Sequence, residues 1–266
     1  MGYGVRRMEK LVDLTISQDI AELALNKPEV YNAFNLEMIS EFAEQLIQLS
    51  TDNNIKGVVI TGRGKAFCAG GDLAWVSGYS KNYQHSFHTL AAQYHAAVLE
   101  IRRMKKPVIA AINGAAAGGG LSLALACDFR IMEKSAVMKQ AYTSNGLCID
   151  GGGTFTLPRL IGMAKALEIA AFDEKIPAEK ALEWGLVTQV VDDGKSLETA
   201  KALLSQITQK SIHSFGMVKN LINDSFDHSL ETTLEKERDG LGRCGNHPDG
   251  IEGIQAFLEK RKPNFK

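Results

Sequence analysis

Hydrophobic and polar positions along this chain fall into short blocks of differing period. Val12-Asp13-Leu14-Thr15-Ile16 alternates, as a half-buried strand does, and residues 20–25 read as a second strand after a turn at Ser17-Gln18-Asp19. Asn35 stands where a helix N-cap is wanted, and Met38, Phe42, Leu46 and Leu49 then recur at helical spacing. Residues 57–61 form a short apolar strand, followed by a glycine-punctuated loop over 62–71 and a helical start at Leu73. The pattern next predicts a long helix over 83–104, an apolar strand over 107–112, a second glycine-rich turn and a small-residue helix over 121–126. A strand over 128–132 follows, and then Gly151-Gly152-Gly153 opening another helix. From Ala178 onward the pattern is mostly helical, with one strand over 187–191. Strands interleaved with helices, then helices alone, predict an α/β core with a helical C-terminal region. No Pro/Ser linker or low-complexity tract divides the chain, although a strand–glycine turn–helix unit recurs at 57–73 and 108–126.

Composition narrows the classes. The 266 residues suffice for one sizeable core, or a core and a smaller appendage. A formal net charge of -1 favours neither nucleic acid nor an anionic membrane, so an anionic ligand needs a local basic cluster. The four cysteines include no CxxC pair, and no histidine cluster has zinc spacing, so free thiols in a reducing cytoplasm and no metal are expected. The opening MGYGVRRMEK lacks the apolar run of a leader, and Arg6 breaks the myristoylation pattern. The longest apolar candidate for a membrane span, 108–127, is interrupted by Asn113 and several glycines.

The chemistry concentrates at the two glycine turns, Lys65-Ala-Phe-Cys-Ala-Gly-Gly-Asp-Leu73 and Ile112-Asn-Gly-Ala-Ala-Ala-Gly-Gly-Gly-Leu121. Each follows an apolar strand and opens a helix, whose first N–H groups lack internal partners and favour negative charge. Two such turns facing one another would aim two donors at one oxyanion; the alternative is that the glycines only permit tight turns and close helix packing. Neither turn matches the dinucleotide fingerprint or the phosphate loop.

These residues resemble a known family. FCAGGDL and INGAAAGGGLSLALACD are similar to the paired signature of the crotonase family, the enoyl-CoA hydratases and isomerases. ALNKPEVYNAFN, GGGTFTLPRLIG, AEKALEWGLVTQVV and DGIEGIQAFLEKRKPNF extend the resemblance over nearly the whole chain. It implies a crotonase-like spiral of ββα units over 1–195 and a helical trimerisation region over 196–266, assembled as a homotrimer or a dimer of trimers. It places the oxyanion donors on the backbone N–H groups of Gly71 and Gly119, with Ala69 and Asp72 beside the CoA moiety. The matching CoA contacts in the C-terminal helix are Phe257 and Lys260, often serving a neighbouring subunit. Lys27 is a phosphate-contact candidate; ordinary surface charge is the alternative for both lysines.

The positions of the family's two hydratase glutamates hold Ser122 and Tyr142. That departure disfavours hydration by the usual pair. The segment from Tyr142 to Asp150 instead resembles the stretch carrying a single catalytic Asp in dienoyl-CoA and ring-opened phenylacetyl-pathway isomerases and in aroyl-CoA dehalogenases. One carboxylate suffices to move a proton between two carbons. Asp150 is therefore the expected acid/base, or else an N-cap for the helix at the glycines. Asp72 reads as a substrate contact or a turn cap, Ser122 as a substrate hydrogen bond or helix packing, and Tyr142 as a phenolic donor or core. His85, His88 and His95 read as a solvated helix face, and Cys68 and Cys148 flank the site without an evident base. The expectation is isomerisation of an acyl-CoA thioester, with CoA entering as part of the substrate and no separate cofactor. Hydration, thioester hydrolysis, decarboxylation, dehalogenation and non-catalytic CoA binding are the rivals.

Overall fold

The structure, a computed structural model, describes residues 10–265. Residues 1–9, which carry the reading about a leader, and Lys266 lie outside it. The strands are β1 (Val12–Ser17), β2 (Ile20–Leu25), β3 (Gly57–Gly62), β4 (Ala66–Cys68), β5 (Val108–Ile112), β6 (Ala115–Ala117), β7 (Phe129–Glu133), β8 (Val137–Lys139), β9 (Ile176–Pro177) and β10 (Gln189–Val191). The helices of the first two-thirds are α1 (Leu36–Thr51), α2 (Leu73–Tyr79), α3 (Tyr83–Arg103), α4 (Gly119–Ala126), α5 (Gly153–Phe172) and α6 (Ala178–Glu183). Then come α7 (Ser196–Ile207), α8 (Ile212–Asp224), α9 (Leu230–Asn246) and α10 (Pro248–Leu258).

Two sheets form, one in the order β1-β2-β3-β5-β7-β10 and one in the order β4-β6-β8-β9. Along the chain, β3-β4-α2, β5-β6-α4 and β7-β8-α5 repeat one plan. The first strand joins the larger sheet, the second joins the smaller, and a helix follows. Each repeat advances one place in both sheets, which is the expected ββα spiral. β2, β3 and β5 are buried at every position, which accounts for their continuous apolar runs.

Sequence periodicity missed the second strand of each repeat. β4, β6 and β8 are three residues each, too short to show a period. The α4 helix begins at Gly119 rather than Leu121, because all eight of its residues are buried and packing overrides the poor helix propensity of glycine. The strand expected over 187–191 pairs only from Gln189; Val187 is buried without joining the ladder.

The larger sheet is covered on both sides. One face packs under α1 and α3, with Phe42, Leu46, Tyr94 and Ile101 in one cluster. The other receives α7, whose Ala200 and Leu204 pack with Val59, Ile109 and Ile131. The α7 helix begins just past the expected boundary at residue 195 and lies directly on the sheet. The next helix, α8, is tied in by Lys219, whose Nζ lies 2.8 Å from Asp128 Oδ2 and donates to the carbonyls of Ile101 and Lys106. No helix among the described residues is long and apolar enough to cross a membrane.

Candidate active site

After β4 the first turn runs alongside Phe34. The Phe34 N–H donates to the Gly70 carbonyl and the Asp72 N–H donates to the Phe34 carbonyl, an isolated parallel bridge between Phe34 and Gly71. Such a bridge uses the groups flanking Gly71 and turns the Gly71 N–H to the opposite side. The Asp72 carboxylate accepts from the N–H groups of Ala74 and Trp75, capping α2, and meets Lys27 Nζ at 3.3 Å. Asp72 therefore caps α2, as one of its two readings expects, and Lys27 is paired with it.

The second turn pivots on Gly118, at φ 54° and ψ -126°, a conformation open in practice only to glycine. Its N–H donates to the Lys139 carbonyl, and α4 then starts with no side-chain cap. The two turns are in contact: a Cβ built on Gly70 would stand 2.7 Å from the Gly119 nitrogen. Among the described residues, neither the Gly71 nor the Gly119 N–H donates to a protein acceptor.

Lining the same cleft as Gly71 and Gly119 is the loop between β8 and α5, which carries Asp150. Its main-chain carbonyl accepts from Ser122 Oγ at 2.6 Å, and its Oδ1 lies 2.5 Å from His95 Nε2 on α3. The cap position of α5 is Gly152, with Gly151 and Gly152 both at positive φ, so the Asp150 side chain does not cap that helix. Tyr94, the neighbour of His95, is buried, and its hydroxyl donates to the Gly119 carbonyl at 2.5 Å.

These groups share one cleft of about 550 Å³, lined by Ala69, Gly71, Gly119, Tyr142 and Asp150 together with apolar Phe34, Phe87, Leu90, Leu147 and Ile149. Asp150 is the only carboxylate among the described residues that line it. Burial pushes the Tyr142 phenol above its usual range, and the Asp150 charge acts in the same direction, so the hydroxyl keeps its proton. Burial likewise pushes the Cys68 thiol up to about 12, against the opposing effect of the Gly70 N–H, which removes it as a ready thiolate. Cys148 is exposed at the cleft wall.

Five of the expected site residues, Gly71, Gly119, Asp150, Ala69 and Tyr142, thus line one cleft. Ser122 is buried behind it, with its hydroxyl engaged by Asp150, so it does not reach a substrate in this arrangement. Phe257 and Lys260 lie at the end of α10, away from the cleft lining; Phe257 is 82% exposed and sits beside Ser211 and Phe265. Sequence reasoning read His95 as part of a solvated helix face and gave it no partner. Its partner is 55 residues away, and nothing in the local pattern marks the contact.

Comparison with known proteins gives the family and the fold. The family model for enoyl-CoA hydratase/isomerase matches residues 15–266, and the chain belongs to that family. It has the crotonase fold: an enoyl-CoA hydratase from Polaromonas sp. JS666 superimposes with a TM-score of 0.91 at 36% identity, covering 96% of this chain and 99% of that one. Among characterised relatives, the 1,2-epoxyphenylacetyl-CoA isomerase of Escherichia coli (strain K12) is 38% identical over 94% of this chain and 96% of its own length. A probable enoyl-CoA hydratase of Rhodobacter capsulatus is also 38% identical, over 94% and 95%.

Proposed function

We propose that the protein isomerises an acyl-CoA thioester, with Asp150 as the single acid/base and the Gly71 and Gly119 N–H groups as oxyanion donors. The observation that carries this reading is a cleft whose described lining holds one carboxylate, Asp150, together with two glycines from separate turns whose N–H groups have no protein acceptor among the described residues. In a 3-enoyl thioester, the Asp150 carboxylate removes a C2 proton. The C–H electrons pass into an enolate whose oxygen accepts from both amides, and protonated Asp150 returns the proton to C4. The double bond moves into conjugation and no water is consumed. A preorganised oxyanion donor contributes on the order of 10²–10³ in rate. The hydratase glutamate positions hold Ser122, which is buried, and Tyr142, whose phenol stays protonated; neither can serve as the second carboxylate of a water-activating pair. The relative named as an isomerase of 1,2-epoxyphenylacetyl-CoA supports the same class. CoA enters as part of the substrate, with Phe257 and Lys260 supplied to the cleft of a neighbouring copy in a homotrimer or dimer of trimers.

The test offers 2-enoyl, 3-enoyl and dienoyl CoA thioesters to purified wild type and Asp150→Asn while absorbance follows conjugation. Wild type should shift the double bond, and the variant should bind CoA as tightly but lose turnover by a factor of about 10² or more. Equal turnover in both proteins removes Asp150 from the chemistry.

A further inference from the structure

We infer that His95 is a positioning residue for Asp150; this rests on the isomerase reading above. His95 Nε2 and Asp150 Oδ1 lie 2.5 Å apart, and the proton-accepting form of the carboxylate can only accept, so in that form His95 Nε2 is the donor. With Oδ1 engaged, Oδ2 is the oxygen free to carry the substrate proton. A side-chain contact between groups 50% and 36% exposed would ordinarily count for little, because two flexible groups must be held in one geometry. Here both backbones are already fixed. The Asp150 carbonyl is held by Ser122 Oγ at 2.6 Å. On the other side, α3 is locked by Tyr94, which is buried and bonded to the Gly119 carbonyl. The chain after Asp150 also lies hard against that ring: a Cβ on Gly151 would stand 2.2 Å from Tyr94 Cε1. Adjacent residues of one helix therefore touch both halves of the site, Tyr94 at the donor glycine and His95 at the carboxylate. The side chain of Asp150 has no other hydrogen bond among the described residues, so without His95 its carboxylate is free to rotate away from the oxyanion donors.

The experiment compares wild type, His95→Leu, His95→Gln and Asp150→Asn with 3-hexenoyl-CoA, and measures CoA affinity by calorimetry. His95→Leu should lower kcat roughly 10- to 100-fold with KM and CoA affinity nearly unchanged, the signature of a misplaced reacting group rather than lost binding. His95→Gln, which retains a side-chain N–H but cannot exchange protons at neutral pH, should recover most of kcat. Wild-type kcat in His95→Leu, or a His95→Gln enzyme as slow as His95→Leu, overturns positioning. If Asp150→Asn is inactive while His95→Leu is fully active, the isomerase reading stands and this inference alone falls. A readout independent of turnover is the ¹⁵N NMR spectrum of the His95 ring. It should show a hydrogen-bonded Nε2–H that is lost in Asp150→Ala, and absence of that signal in wild type also overturns the assignment.

Discussion

The two glycine turns follow the same ββα plan, and each leaves one N–H without a protein acceptor among the described residues, yet they are built differently. The turn at Gly71 sits at the rim. Its helix, α2, is seven residues long, buries only Val76, and is capped by the Asp72 carboxylate. The turn at Gly119 lies inside the molecule, where every residue of α4 is buried and no side chain caps the helix. The donors are therefore aimed by different means. Gly71 is oriented by a strand-like bridge to Phe34, whereas Gly119 is oriented as the first residue of a helix whose end is left open. Capping α2 with a carboxylate places a negative charge at that helix start; leaving α4 uncapped keeps its positive end available to a ligand. The comparison suggests a rigid inner donor and a more tolerant outer one.

The sharpest way to break that contrast is to add a methyl group inside the inner turn. A Cβ on Gly120 would lie 2.0 Å from the Cys68 carbonyl oxygen, and a backbone atom of a buried strand has nowhere to retreat. Gly120→Ala should cost about 3 kcal/mol, the upper end for overpacking, and show as a large fall in urea midpoint or in soluble yield. At Gly119 the Cβ meets the tip of the Phe34 ring at 2.8 Å, and that ring already leans on Tyr94 with centroids 4.8 Å apart. Gly119→Ala should cost about 1–2 kcal/mol and lower kcat, because Phe34 and the donor must shift together. A Gly120→Ala protein with wild-type stability would mean that the inner turn is not rigid.

Much of this contrast was legible beforehand, and the missing parts have physical reasons. Both glycine turns, the larger-sheet strands expected over 57–61 and 107–112, each within one residue of β3 and β5, and the long helix α3 follow from apolar periodicity and glycine placement. The smaller sheet did not, since strands of two or three residues carry no period, although their partners set the spiral. Whether Asp150 caps α5 could not be read in one dimension. It turns on Gly151 and Gly152 both taking positive φ, which moves the helix start beyond the reach of the carboxylate. His95 on α3 resembles its solvent-facing neighbours until the fold brings Asp150 to it.

A third loop extends the comparison. After β8 the chain does not turn at once into its helix; it runs through Tyr142 on a longer path, fastened by Asp173 at the end of α5, before the glycines that open α5. Asp173 is 6% exposed and accepts from the Ala141 N–H at 2.7 Å, the Ser144 N–H at 3.1 Å and the Ser144 hydroxyl. Burial pushes its carboxyl up, but the Ser144 hydroxyl and the two N–H donors outweigh that and hold it below the usual range. A depressed folded-state value contributes stability above the unfolded value of about 3.9, and the contribution is lost as pH falls through the folded value. Asp173→Asn keeps a residue tolerant of its φ of 48° while removing the charge. It should lower stability by about 1–2 kcal/mol near neutral pH, and the gap from wild type should close as acid protonates Asp173 in the parent. Urea midpoints across that range check this; a gap constant down to the lowest pH would show that the charge is not what fastens the loop.

The smallest expected effect belongs to the outer turn. A Cβ on Gly71 would find its nearest neighbour, Leu90 Cδ2, at 3.4 Å, and then Phe34 Cε2 at 3.9 Å; its φ is not in the left-handed region. Gly71→Ala should therefore change stability by no more than about 0.5 kcal/mol, the range of substitutions that create neither clash nor strain. Because alanine keeps the N–H and the Phe34 bridge uses only flanking groups, the donor should survive the substitution and kcat should fall little. Thermal midpoints of Gly71→Ala and Gly119→Ala measured side by side are decisive, since the two proteins carry the same added methyl group. Equal losses would mean that the outer turn is held as tightly as the inner one, despite its short capped helix and its place at the rim.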